Sequence, residues 1–139
     1  MDAMSDEDEK MYSEVRGSLI LVGYTCSHDD ISAAFGVEPS ETWNAGDRTS
    51  SGRRVLKQNG WRFRSSLPLT ATQQEHAVHL LDQLKPNFAK LRAIDPEEAA
   101  LSFAVESYNG DRPALGLEHK LMARMVEMKL DLDIDLYVL

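Results

Sequence analysis

Between Trp43 and Leu67 the chain gathers Arg48, Arg53, Arg54, Lys57, Arg62 and Arg64, and no acidic residue follows Asp47 within that stretch. Guanidinium groups hold carboxylates and phosphates in bidentate geometry, so the chemistry open here is recognition of an anion or an acidic partner. Both tryptophans, Trp43 and Trp61, lie in the same stretch. Trp43-Asn44-Ala45-Gly46-Asp47-Arg48 reads as an aromatic followed by a turn and a carboxylate. Such a turn either closes a pocket or has Asp47 bonding its own backbone while Trp43 anchors the loop. The candidate binding residues are Trp43, Asp47, Arg48, Arg53, Arg62 and Arg64. No catalytic motif accompanies them, and no residue is assigned a catalytic role.

Other reactive groups carry less. Asp131, Asp133 and Asp135 alternate along a strand pattern and share one face. Successive members sit about 7 Å apart, too far for one ion without further ligands, so they read as charges guarding an edge strand. His76 and His79 are three apart on a helix but lack a third ligand, and they read as surface histidines. His28 and His119 have no sequence neighbour that implies a role. Cys26, the single cysteine, reads as a partly buried structural thiol. It excludes an intramolecular disulfide and a cysteine-based zinc cluster, and it fits a reducing cytoplasm. Ser50-Ser51-Gly52 is no phosphate loop, and Met122, Met125 and Met128 read as core. Neither a metal nor a cofactor is expected.

The whole molecule sets the electrostatic background. With 139 residues, 42% hydrophobic and 27% charged, it has the size and composition of one folded domain. The formal net charge of -8 weighs against nucleic acid and anionic membranes and favours a basic partner. Trp61 and Phe63 alternate with Arg62 and Arg64, so aromatic and basic groups point to opposite faces of a strand. A stacking platform for bases needs them interleaved. Residues 1–12 read as a disordered acidic tail and 13–139 as a single domain. The N-terminus lacks the apolar run of a leader, and Leu19 to Val22 is too short to span a bilayer.

The elements that must position these residues follow from periodicity. Glu14 to Tyr24 reads as a central strand, and Ser27 caps a short helix ended by Gly36. Arg53 to Gln58 and Trp61 to Leu67 read as a hairpin turning at Asn59-Gly60. Thr72 to Glu75 is a capping box opening a helix with Ala77, Leu81, Leu84, Phe88 and Leu91 on its buried stripe. Pro86 kinks that helix or starts a second segment. Ala99 to Tyr108 is a strand, Asn109-Gly110-Asp111 a turn, and Glu118 to Met128 a third helix. In the closing strand Leu130, Leu132, Ile134, Leu136 and Val138 alternate with polar residues, which predicts one buried and one wet face. The expected fold is α+β: a ferredoxin-like βαββαβ core with an added C-terminal αβ. Its sheet is five-stranded and mostly antiparallel, with the helices on one face and the other face open.

Four separated blocks carry a family resemblance: Gly46-Asp47 after a tryptophan, Gly60 to Ser66, Leu80 to Pro86, and Leu132 to Tyr137. From Val15 to Tyr137 the chain resembles a bacterial family known as domain of unknown function 4279. The resemblance implies a stand-alone bacterial α+β domain with no catalytic residues to carry over. The leading expectation is a non-catalytic protein-binding module, possible as an immunity-type protein, using the open sheet face and the basic stretch. A small-molecule or phosphate-ligand enzyme or binder with a pocket near the Trp43–Asp47 loop is the second reading, and a homodimer the third.

Overall fold

A computed structural model describes residues 10–139; the acidic stretch at residues 1–9 lies outside the described residues. The elements are β1 (Tyr12–Val22), α1 (His28–Phe35), β2 (Glu41–Trp43), β3 (Gly60–Arg64), α2 (Gln73–Gln83), α3 (Phe88–Ala93), β4 (Glu98–Tyr108), α4 (His119–Glu127) and β5 (Asp131–Val138). They build a mixed α/β fold around one five-stranded sheet in the order β2-β3-β1-β4-β5. Every neighbouring pair is antiparallel except β4 and β5, which run parallel.

Helix starts follow the capping chemistry of the sequence. Ser27 Oγ accepts the Asp30 amide at 3.1 Å while the Asp30 carboxylate accepts the Ser27 amide. Thr72 and Glu75 close the same reciprocal pair at the head of α2. Gly36, at φ 74°, takes the left-handed position that ends α1. Pro86 separates two helices, and Asn87 caps the second by accepting the Lys90 amide. Among the described residues there are therefore four helices, Pro86 starting a second segment and not merely kinking one helix. The break resets the helical phase, and Phe88, expected on the buried stripe, is 39% exposed.

Strand alternation sets the core. Val15, Leu19 and Leu21 of β1, Trp61 of β3, and Leu101, Phe103 and Val105 of β4 are buried on one face. Ile31 and Phe35 of α1, Ala77, Leu80 and Leu81 of α2, and Leu121 and Met125 of α4 join the same cluster. Trp61 lies at its centre, stacked 5.7 Å from Phe35, with its indole N–H donated to Ser32 Oγ at 3.1 Å. The other face of the sheet carries no helix among the described residues.

Two strand expectations are corrected. Residues 53–58 form no strand; an isolated bridge joins Val55 to Arg48, and backbone bonds tie Arg54 to Thr49 and Leu56 to Gly46 and Asp47. Gly60 opens β3 with Trp43 of the three-residue β2 as its cross-strand partner. Neither Asn59 nor Gly60 adopts a positive φ, so the two-residue turn that Asn-Gly favours does not form. Instead the Asn59 carbonyl accepts the Gly23 amide and its side chain accepts the Ala45 amide. The tertiary bonds outweigh the local turn preference.

The closing strand is the second correction. Leu130, just before it, is buried, yet every residue of β5 is exposed, including Leu132, Ile134, Leu136 and Val138. Register places Leu132, Ile134 and Leu136 beside Leu101, Phe103 and Val105, on the core side of the sheet. The helical layer does not reach that far. Helix α4 buries Leu121 and Met125 and is tied to α2 by Arg124 and Asp82 at 2.8 Å.

Candidate functional site

The uncovered face displays the residues that alternate with the core. Tyr12, Arg16 and Ser18 come from β1, Arg62 and Arg64 from β3, Ser102, Ala104, Glu106 and Tyr108 from β4. The edge strands add Glu41 and Trp43 on one side and Asp131, Asp133, Asp135 and Tyr137 on the other. Ser18, Ser102 and Ala104 are small, so the sheet sinks between its arginine and aspartate sides. The resulting trough encloses about 520 Å³ and is bounded by Arg16, Arg62 and Arg64 opposite Asp135. At its end Gly17 lets His76 approach closely; a Cβ at Gly17 would lie 3.1 Å from that of His76.

Electrostatically the arginines are already matched. Glu41 holds Arg62 at 3.3 Å and Arg64 at 2.7 Å, while Arg16 meets Glu106 at 3.3 Å and Glu14 at 3.6 Å. Arg62 also places its guanidinium 5.9 Å from the centre of the Trp43 ring, within cation–π range. Arg62 Nε is buried with no hydrogen-bond partner. At the opposite corner Tyr12 and Tyr108 stack at 4.5 Å, and the Tyr108 hydroxyl donates to Glu106. That bond, with burial as a lesser cause, pushes the phenol up to about 12.

The six candidate residues therefore separate. Trp43, Arg62 and Arg64 converge on the uncovered face. Asp47, Arg48 and Arg53 stay on the loop at residues 44–59. There Asp47 accepts the Asn44 amide at 2.8 Å, and Arg48 donates to the Gly52 carbonyl. Arg16, Tyr12, Tyr108 and Tyr137 join the face without having been singled out. The signal for them was the strand alternation itself, which becomes informative only when the strand order is known.

Three other groups are resolved. His76 is 1% exposed and not on the surface; it lies beneath Gly17 and shares a 2.7 Å hydrogen bond with Ser65 Oγ. Burial lowers its pKa, so the imidazole is held neutral. His28 bridges Tyr24, at 2.5 Å, and Asn44, at 2.8 Å, fastening the loop to α1. Cys26 is half-buried, and burial followed by the charge of Asp30 raises its pKa, which disfavours a reactive thiolate. No group of three or more His, Cys, Asp or Glu side chains converges to hold a metal among the described residues. No described helix is long and apolar enough to cross a membrane.

Comparison with curated proteins and with solved structures returns no match. A family model does match, over residues 13–139, nearly all of the chain. The protein thus belongs to the family described as domain of unknown function (DUF4279).

Proposed function

We propose that the protein is a non-catalytic binding module whose uncovered sheet face holds a protein partner. The composition of that face carries the reading. It bears Trp43, Arg16, Arg62, Arg64 and three of the four tyrosines, Tyr12, Tyr108 and Tyr137, and no lysine. Tryptophan, tyrosine and arginine are the side chains in which interface energy concentrates, and lysine is depleted there. Because each arginine already pairs with a glutamate, a free phosphate bound there would also lie beside the carboxylate of Glu41 or Glu106. A protein can cover the pairs intact and strengthen them by excluding water. The net charge of -8 supports a basic partner, and immunity-type inhibition is one form such binding takes.

The second reading, a small anionic ligand in the trough, draws on its volume of about 520 Å³ and on the unpartnered Arg62 Nε. The antiparallel run β2-β3-β1-β4, with helices between β1 and β2 and between β3 and β4, supports a ferredoxin-like core extended by α4 and β5. We place the protein in the bacterial cytoplasm on the family resemblance and its single cysteine.

The test is site-specific photo-crosslinking in cells expressing the full chain. A photoreactive residue at Tyr137 or Arg62 is expected to trap one discrete partner, and one at Arg92, away from this face, is not. Self-crosslinks alone from Tyr137 and Arg62 would favour the homodimer. An absence of any protein adduct would favour the small-ligand reading.

A further inference from the structure

The outer edge of β5 is unpaired among the described residues, because the sheet order ends there. An edge of this length exposes a row of backbone donors and acceptors, a template for another strand. Its core-side residues Leu132, Ile134 and Leu136 are 47%, 38% and 51% exposed, so an apolar stripe also lacks cover. On the other side Asp131, Asp133 and Asp135 carry no ion pair among the described residues. Short or bulged edge strands avoid unwanted pairing, and β5 is neither: eight residues pair with β4 in continuous register.

We propose that β5 is a strand-addition site for an extended segment of a partner protein in which apolar and basic residues alternate. The added strand takes the β5 backbone bonds, lays its apolar residues beside Leu132, Ile134 and Leu136, and sets its cations against the three aspartates. Charge selects this occupant. Two copies of β5 paired antiparallel would bring two rows of aspartates onto one face, and like charges across a ladder are destabilising. The chain does hold one segment of the required pattern, Trp61-Arg62-Phe63-Arg64, but β3 is locked between β2 and β1. The matching strand must therefore come from another protein. This edge shares Asp135 and Tyr137 with the face described above, but it rests on the β5 backbone and not on the arginines, so protection of residues 131–138 by the peptide tests it apart from that reading.

The probe is a synthetic peptide with the sequence of residues 60–66, offered to the intact protein. Binding is expected at submillimolar concentration, with slowed amide exchange confined to residues 131–138. The double variant Asp133→Asn and Asp135→Asn, both at exposed positions, is expected to weaken binding about fivefold. Methylating alternate peptide amides, which removes the ladder donors, is expected to abolish it. The proposal is overturned by the absence of binding at millimolar concentration, by equal binding of a peptide with glutamate replacing both arginines, or by protection elsewhere. Sedimentation showing self-association that the same double variant strengthens would assign the edge to a second copy instead.

Discussion

The indole of Trp43 occupies the space where Gly60 would carry a side chain: a Cβ there would come within 1.9 Å of the ring. The two are cross-strand partners, so the three-residue β2 is seated on the sheet by this contact. Gly60→Ala forces the ring off the strand. The expected cost is about 1–3 kcal/mol of overpacking, read as a lower midpoint in urea. In the double variant Gly60→Ala with Trp43→Ala the penalty of the alanine should largely vanish. A fully additive pair would show that the contact is not the source of the cost.

Burial of Trp61 depends on one hydroxyl. Its indole N–H is donated to Ser32 Oγ, and Ser32→Ala would strand that donor in the core. A loss of about 1–3 kcal/mol is expected in chemical denaturation. Ser32→Thr, which restores a hydroxyl, should recover part of it if the threonine methyl is accommodated.

His76 makes stability depend on pH in one direction. Its folded pKa lies below the ordinary value of 6.5, chiefly through burial. The unfolded chain therefore binds the proton more readily than the folded one. The contribution of the neutral imidazole is fully present above 6.5 and is lost as pH falls toward the lowered folded value. Urea midpoints taken from about pH 7.5 down to about pH 5 should decline, and the slope should be smaller in His76→Gln. An unchanged slope in that variant would assign the dependence to other groups.

On the uncovered face, Arg62→Ala and Tyr137→Ala are each expected to weaken a crosslinked partner by at least about tenfold, the scale of an interface hot spot. Arg53→Ala, on the loop at residues 44–59, should leave affinity within about twofold. Calorimetric titration with the identified partner checks both. Equal losses for Arg62→Ala and Arg53→Ala would point to long-range charge and not to contact.

Local order was written in the chain. Ser27 with Asp30 and Thr72 with Glu75 start helices because the hydrogen bonds that define a cap span three residues. Gly36 ends α1 because it alone in that turn enters the left-handed region without cost. Alternation in β1 and β4 assigned Val15, Leu19, Leu101, Phe103 and Val105 to one side and Arg16 to the other, since side chains in a strand repeat every two residues. The same alternation sent Trp61 inward and Arg62 and Arg64 outward.

Tertiary structure decided which of these faces met another layer. Asn59-Gly60 has strong turn chemistry, yet the contact between Gly60 and Trp43, seventeen positions apart in sequence, placed it at the head of a strand. His76 sits on a helix beside polar neighbours, and only the missing side chain at Gly17 made room to bury it. In β5 the pattern of Leu132, Ile134 and Leu136 correctly grouped three residues on one side. Whether that side is dry depends on how far the helical layer extends, and no period within eight residues encodes the reach of α4. Sequence by itself determined the local elements and the facing of their side chains. Long-range packing determined strand order, the convergence of Trp43, Arg62, Arg64 and Arg16, and the exposed edge, because those depend on contacts between residues far apart along the chain.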